Sequence, residues 1–284
     1  MRTFIDTSVF IARHAHSPTQ AQKVESATGA GSGRTKVSGL VVRQELKRRM
    51  LGDAEYLFRL LDEKNGFEEA LHHLNRLRQL PYQANRAGIC LGLMASITGV
   101  DDQDKTDRLK AKLRRFILTC LAKFDGWVDH LERGSGCHCA TLDPVERKKR
   151  GGRVVFEMGD DKCGTGGTCH VGQFLTRMSD SSTAIQSHLA ATLEPNGRKE
   201  LHDILAFLND TTSAEFTATD RNPCLTVGDL LIALESVAAN CAEMYTMNHR
   251  DSLPLCAALG QQLRILSHKP EVEDVVVPPP ASAV

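Results

Sequence analysis

Aromatic side chains are scarce in this chain. They make up 5% of its 284 residues, which leaves little material for stacking platforms under single-stranded bases. An excess of charge of one sign is also missing. Lys plus Arg and Asp plus Glu both number 35, so no bulk polycation draws the chain onto nucleic acid, and any such binding must come from local patches. No hydrophobic run reaches the roughly 18 residues that a membrane span needs, so no membrane association is expected. The opening stretch MRTFIDTSVFIARH does not read as a signal peptide, because Asp6 and Arg13-His14 interrupt its apolar part and no small-residue cleavage site follows. A cytoplasmic protein is the resulting expectation. Nine cysteines in a reducing compartment then argue for thiols or a metal site over a disulfide framework. The glycines around Gly164 are not followed by Gly-Lys-Ser/Thr, which excludes a phosphate-binding loop of that kind.

What is present is an ordinary balance of 41% apolar and 25% charged residues, enough to bury a core. Thr3 to Ile5 read as a short buried strand ending at Asp6, with a helix capped by Thr7 or Ser8 after it. Pro18 starts a second short helix, Gly29 to Arg34 form a loop, and Lys36 to Val42 read as a second strand leading into a helix that carries Arg43, Glu45, Lys47 and Arg48. Leucines at three- and four-residue spacing mark helical structure from Asp53 to Leu80, and a further amphipathic helix spans Asp104 to Glu132. Gly134 to Gly172 break the pattern with a Gly- and Cys-rich stretch. Helices resume over Thr183 to Leu193, Arg198 to Leu208 and Val227 to Ala239. A strand near Met244 to Thr246, a helix near Pro254 to Leu259 and a strand near Leu263 to Leu266 follow. The proline-rich tail, residues 269–284, is expected to be disordered. Strands alternating with helices predict an α/β fold with a parallel sheet, interrupted by a mostly helical insertion.

An Asp at the end of a buried strand points into the crevice where open α/β sheets bind ligands. Asp6 holds that position. Asp229 stands near the start of the helix with Leu230 to Ala233, and Asn248 and Asp251, three residues apart, fit one face of a nascent helical turn. Taken together, FIDTS (Phe4–Ser8), RQEL (Arg43–Leu46), GDLLIA (Gly228–Ala233) and TMNHRD (Thr246–Asp251) resemble the PIN domain nuclease family. The resemblance covers about the first fifty and the last seventy residues. It departs from the family at Ser252, where an aromatic often stands, and in the length of the segment between Glu45 and Asp229.

The resemblance implies a three-layer α/β sandwich whose discontinuous core comprises residues 1–52 and 211–268, with 53–210 as a helical segment and insertion that includes the Cys-rich loop 134–172. It implies a divalent-metal-dependent nuclease, an endoribonuclease with RNA favoured over DNA as partner. Asp6, Glu45 and Asp229 would bind Mg²⁺ or Mn²⁺, and Asp251 or Asn248 would complete the site or position the water. Hard divalent ions prefer such oxygen ligands, and carboxylates packed without a cation repel one another. Ser8 and Thr246 would orient a carboxylate by hydrogen bonding. The alternative is a catalytically silent scaffold or a binding subunit of a larger assembly, with a protein partner on the insertion or a second copy of the chain.

Cys137, Cys139, Cys163 and Cys169 are the candidate ligands of a structural Zn²⁺, although neither pair has the common C-x-x-C spacing. Arg43, Lys47 and Arg48 share a helix with Glu45 and are the expected contacts to substrate phosphates. Lys110 to Arg115 read as a solvated helix face, and Arg147 to Arg150 as either a nucleic-acid contact or a solubilised loop.

Overall fold

A computed structural model of the chain describes residues 1–15, 18–29, 31, 33–148, 154–157, 169–210, 226–267 and 274–278. The central element is β1 (Arg2–Ile5), whose Phe4 and Ile5 are fully buried. It pairs in parallel with β2 (Thr35–Gly39) on one side and with β6 (Glu243–Thr246) on the other. The six-stranded sheet has the order β3-β2-β1-β6-β7-β8, where β3 is His130–Glu132, β7 is Gln262–Ile265 and β8 is Val275–Val277. All neighbours are parallel except β7 and β8. Two short strands, β4 (Val145–Lys148) and β5 (Val154–Glu157), form a separate antiparallel pair.

The chain path through this sheet decides where a site can form. From β1 it steps outward to β2 and β3, then returns to lay β6 on the other flank of β1 before stepping to β7 and β8. Strand order therefore reverses between β1 and β6, and a crevice opens outside their carboxyl ends. Asp6 follows β1 directly and donates its backbone N–H to Tyr245 O at 3.1 Å, which ties the two strand ends together.

The helices enclose the sheet and extend it into the long segment between β2 and β6. α1 (Thr7–Ala15) and α2 (Pro18–Thr28) connect β1 to β2. α3 (Leu40–Leu46) runs through a π-helical turn, Lys47–Leu51, into α4 (Gly52–Glu63). α5 (Phe67–Leu77), α6 (Ala84–Met94) and α7 (Asp102–Trp127) pack with α4 as a helical layer. α8 (Val171–Arg177), α9 (Ser179–Thr192) and α10 (Lys199–Asp210) follow, then α11 (Gly228–Ala238) and α12 (His249–Ala258). α9 packs on α12, so the helical insertion leans on the element that follows β6.

Several boundaries differ from the sequence expectation. The second strand ends at Gly39 instead of Val42, because the buried Glu235 carboxylate accepts the Val41 N–H at 3.1 Å and starts α3 there. A Cβ at Gly39 would collide with Glu235 Oε2, so glycine is required at this contact. The helical stretch from Asp53 to Leu80 is two helices, broken where Asn65 and Gly66 take positive φ of 56° and 144°. The helix begun at Asp102 stops at Trp127, leaving His130–Glu132 free to pair with β2. The expected disordered tail is corrected at Val275–Val277, which add an antiparallel edge strand to β7 because three consecutive valines suit a pleated edge.

Glu235 is fully buried and also accepts from Ser135 Oγ. Burial, the largest influence, pushes its carboxyl from 4.5 up to about 8, against the pull of its hydrogen bonds. A raised carboxyl favours the protonated native state, so this group's contribution to stability is complete below pH 4.5 and is lost as pH rises through about 8. Thermal melts of Glu235→Gln and wild type across pH 5 to 9 are therefore expected to diverge with rising pH, the Gln variant gaining. A constant difference across that range would contradict the buried-acid assignment.

Candidate functional site

Four elements deliver carboxylates to the crevice. Asp6 follows β1, Glu45 lies on α3, and Asp229 and Asp251 occupy the first turns of α11 and α12, where the positive end of the helix dipole favours them. Asp6 is held from three directions. Its Oδ1 accepts the Thr7 N–H at 2.7 Å, and its Oδ2 accepts Ser8 Oγ at 2.5 Å and Thr246 Oγ1 at 2.8 Å. Each hydroxyl is itself oriented: Ser8 Oγ accepts the Met247 N–H at 2.9 Å, and Thr246 Oγ1 accepts the Asn248 N–H at 2.9 Å. Ser8 and Thr246 thus both bond the Asp6 carboxylate. Thr7, read from sequence only as a helix cap, links two acids, because its Oγ1 donates to Glu45 Oε2 at 2.6 Å.

Asn248 Nδ2 donates to Asp251 Oδ2 at 3.0 Å. Asp251 also takes a two-point contact from Arg198, Nε to Oδ1 at 3.0 Å and Nη2 to Oδ2 at 2.9 Å. Glu45 is paired with Arg49 at 2.8 Å, one helical turn on. Sequence reasoning missed Arg198 and did not foresee the pairing of Arg49 with Glu45. Arg49 had a local signal in its spacing of four from Glu45, whereas Arg198 arrives from the insertion and had none.

The electrostatics record how crowded the acids are. Burial raises the Asp6 carboxyl, Glu45 raises it further, and the three hydrogen bonds oppose them. Asp229 is pushed from 3.8 up to about 7, first by burial and then by Glu45, Asp6 and Asp251, with Arg49 pulling the other way. Glu45, Asp229, Asn248 and Asp251 line one open groove of about 940 Å³. A smaller cavity of about 150 Å³ adjoins it on Glu45 and Asp229 and includes Arg48.

The donors suit a hard divalent cation, being oxygens that carry excess negative charge in a partly desolvated place. Their present geometry is not that of a ligand shell. Among the described residues, no three His, Cys, Asp or Glu side chains are arranged to hold an ion as they stand, and guanidinium groups already pair with Glu45 and Asp251.

Two of the three expected phosphate contacts are corrected. Arg43 is buried, with its Nε 2.9 Å from Asp125, its Nη2 2.8 Å from Asp143 and its Nη1 bonded to Ala140 O. Lys47 is buried too and donates to Cys139 O at 3.1 Å. Both hold the 3₁₀ turn His138–Thr141 against α3, so neither can reach a substrate. Arg48 alone of the three stays at the site. Of the other basic clusters, Lys110 pairs with Asp62, Arg114 with Glu146 and Arg147 with Glu157, while residues 149 and 150 lie outside the described residues.

Of the four cysteines singled out, Cys137 and Cys139 are buried and Cys169 is half-buried, while Cys163 lies outside the described residues. His170 donates its N–H to Gly136 O at 3.2 Å, which brings the Cys137 and Cys169 segments side by side. Cys90, Cys120, Cys241 and Cys256 are buried thiols, with burial pushing them up to about 12, 12, 11 and 12. They are packing residues, not nucleophiles.

Comparison of the chain with protein-family models, with curated proteins and with solved structures finds no match. The site's own chemistry therefore carries any functional proposal.

A raised Asp229 means that its contribution to stability is complete below pH 3.8 and is lost as pH rises through about 7. At pH 8 in EDTA, Asp229→Asn is expected to melt a few degrees above wild type, since relieving about 1 kcal/mol moves Tm by about 2–4 °C in a chain of this size. Mn²⁺ is expected to raise the Tm of wild type and not of the variant. Equal responses to Mn²⁺ in both proteins would remove Asp229 from the metal set.

Proposed function

We propose that the chain is a divalent-metal-dependent nuclease that hydrolyses phosphodiester bonds, an endoribonuclease in preference to a deoxyribonuclease, with a PIN-like catalytic core. One observation carries this reading. Four carboxylates, Asp6, Glu45, Asp229 and Asp251, come from four elements to the carboxyl edge of a parallel sheet where strand order reverses, and Asp229 feels the charge of the other three.

Asp6, Glu45 and Asp229 are the residues that would hold Mg²⁺ or Mn²⁺, and such an ion supplies charge neutralisation at the phosphate and a more acidic water. Asp251 or Asn248 completes the oxygen set or positions the attacking water, and their mutual bond lets either act on the other. Ser8 and Thr246 fix the Asp6 carboxylate in one orientation, and Thr7 sets its distance from Glu45. Arg48 and Arg250 supply positive charge at the cavity walls for the phosphates that flank the scissile bond.

A second reading has its own support. Arg198 covers both oxygens of Asp251 and Arg49 covers Glu45, so the acids are partly neutralised without an ion. This favours a scaffold that binds nucleic acid or a protein without cutting. Incubation of the purified chain with end-labelled RNA and DNA, in Mn²⁺ or in EDTA, separates the two. The nuclease reading expects internal cuts in RNA that need Mn²⁺ and disappear in Asp6→Asn/Asp229→Asn. Binding without cleavage under every metal condition favours the scaffold, and cleavage that survives both EDTA and the double variant displaces the assigned site.

For the Cys-rich segment we propose a structural Zn²⁺ held by Cys137, Cys139 and Cys169 together with Cys163. The support is the contact between the Gly136 and His170 backbones, which sets the Cys137 and Cys169 segments side by side, and the soft thiol chemistry of these residues. Elemental analysis is expected to find about one zinc per chain, reduced in Cys137→Ser; no zinc in the wild type ends the idea.

A further inference from the structure

We propose that the α5–α6 hairpin of the helical segment is a binding subsite for single-stranded RNA, with a backbone phosphate on Arg78 and Asn85 and an unstacked base on Tyr82. This rests on the nuclease reading and extends it, because the subsite lies on residues outside the carboxylate cluster.

The groove that holds Glu45, Asp229 and Asp251 does not stop at them. Its lining continues through Arg78 at the end of α5 and Ala84, Asn85 and Gly88 on α6. That stretch of wall is anchored. Ala87, Cys90, Leu93 and Met94 bury the inner face of α6, and Gly92 lets the helix approach Ala15 O so closely that a Cβ would collide. Gly88 has the reverse setting, since a Cβ there would meet nothing within 4 Å and the residue is exposed. The outer face of the wall is therefore open backbone on a rigid helix.

Charge then selects the ligand. Among the arginines lining the groove, Arg49 is neutralised by Glu45, and Arg198 by Asp251 and Glu200. Among the described residues no carboxylate pairs with Arg78 or Arg250, and Arg78 is exposed at the C-terminal cap of α5. Two uncommitted guanidinium groups on different elements of one groove suit an anionic chain, not a single small anion.

The third observation is an aromatic ring in water. Of the chain's three tyrosines, Tyr245 is buried, Tyr56 is half-buried under Arg86, and Tyr82 is 101% exposed. Tyr82 stands in the turn between α5 and α6, two residues before Ala84, so its Cα lies within about 7 Å of the groove wall. A bare ring at the rim of a phosphate-binding groove can stack only on a base that is already unpaired. Duplex stems bury those faces, so the subsite selects single strands.

Fluorescence anisotropy tests this without cleavage, using a labelled unstructured oligoribonucleotide of about 20 nucleotides in EDTA, long enough to fill any single-strand site. Arg78→Ala and Gly88→Glu are expected to weaken binding about ten-fold, and Tyr82→Ala by about five- to ten-fold, while Tyr82→Phe and Gly88→Ala bind as wild type. Unchanged melting curves show that the variants fold. Wild-type affinity in Arg78→Ala and Gly88→Glu overturns the subsite, as does tighter binding of a blunt duplex or equal displacement by poly-glutamate. A failure of the subsite is distinguishable from failure of the nuclease reading. Cleavage by wild type that Arg78→Ala and Gly88→Glu leave untouched keeps the carboxylate site and removes the groove; binding that depends on these residues without any cleavage does the reverse.

Discussion

Four acids share one crevice, and their burial, compounded by the repulsion among them, is the constraint around which the rest of the site is built. At an effective dielectric constant of about 20, unit charges ~5 Å apart repel by roughly 3 kcal/mol, so a few such pairs rival the roughly 5–15 kcal/mol that hold a whole domain folded. The chain answers with donors. Thr7, Ser8 and Thr246 point hydrogens at Asp6, Thr7 points a second at Glu45, and Arg49 and Arg198 bring full charges. Asp229 is left with the least compensation and is the acid driven up to about 7. Asp6 is raised as well, by burial and then by Glu45, despite its three hydrogen bonds.

The insertion is part of this balance. α9 packs on α12, and the loop before α10 carries Arg198 onto Asp251. α6 lines the same groove with Ala84, Asn85 and Gly88. A ligand in the crevice therefore touches the sheet edge and the helical segment together, and an ion that needs both oxygens of Asp251 has to displace Arg198. The same contact lowers repulsion around Asp251 and links the insertion to the carboxylate cluster.

The legible part of the site was its local part. FIDTS, RQEL, GDLLIA and TMNHRD each place an acid on the element that delivers it, and the hydroxyls that orient Asp6 lie within two residues of a strand end. Sequence failed where a partner comes from far away. Arg43 and Lys47 are four residues apart on one helix face and read as a basic surface, yet carbonyl oxygens of Ala140 and Cys139, more than ninety residues on, turn that face inward. Leu40, Val41 and Val42 read as strand because their side chains favour it, and a carboxylate 194 residues from Val41 makes them a helix start. The mostly parallel sheet was legible from the alternation of short apolar runs with helices, while the edge strands β3 and β8 were too short to carry a pattern.

Glu235 and Asp229 are raised by the same leading cause, burial, and differ in what surrounds them. Glu235 is fully buried, and Ser135 Oγ and the Val41 N–H donate to it from fixed positions. Its burial is matched by groups that cannot leave, and it serves to start α3 and hold Gly39 close. Asp229 borders two cavities, and its charged neighbours include three acids of like sign and one arginine that is already paired. A raised carboxyl alone therefore does not mark a functional group. What separates the two is access combined with incomplete compensation, because only an acid that solvent can reach and the protein has not satisfied can exchange its proton for a ligand. By that criterion Glu235 is structural, and Asp229 is the acid that the protein leaves accessible and incompletely compensated.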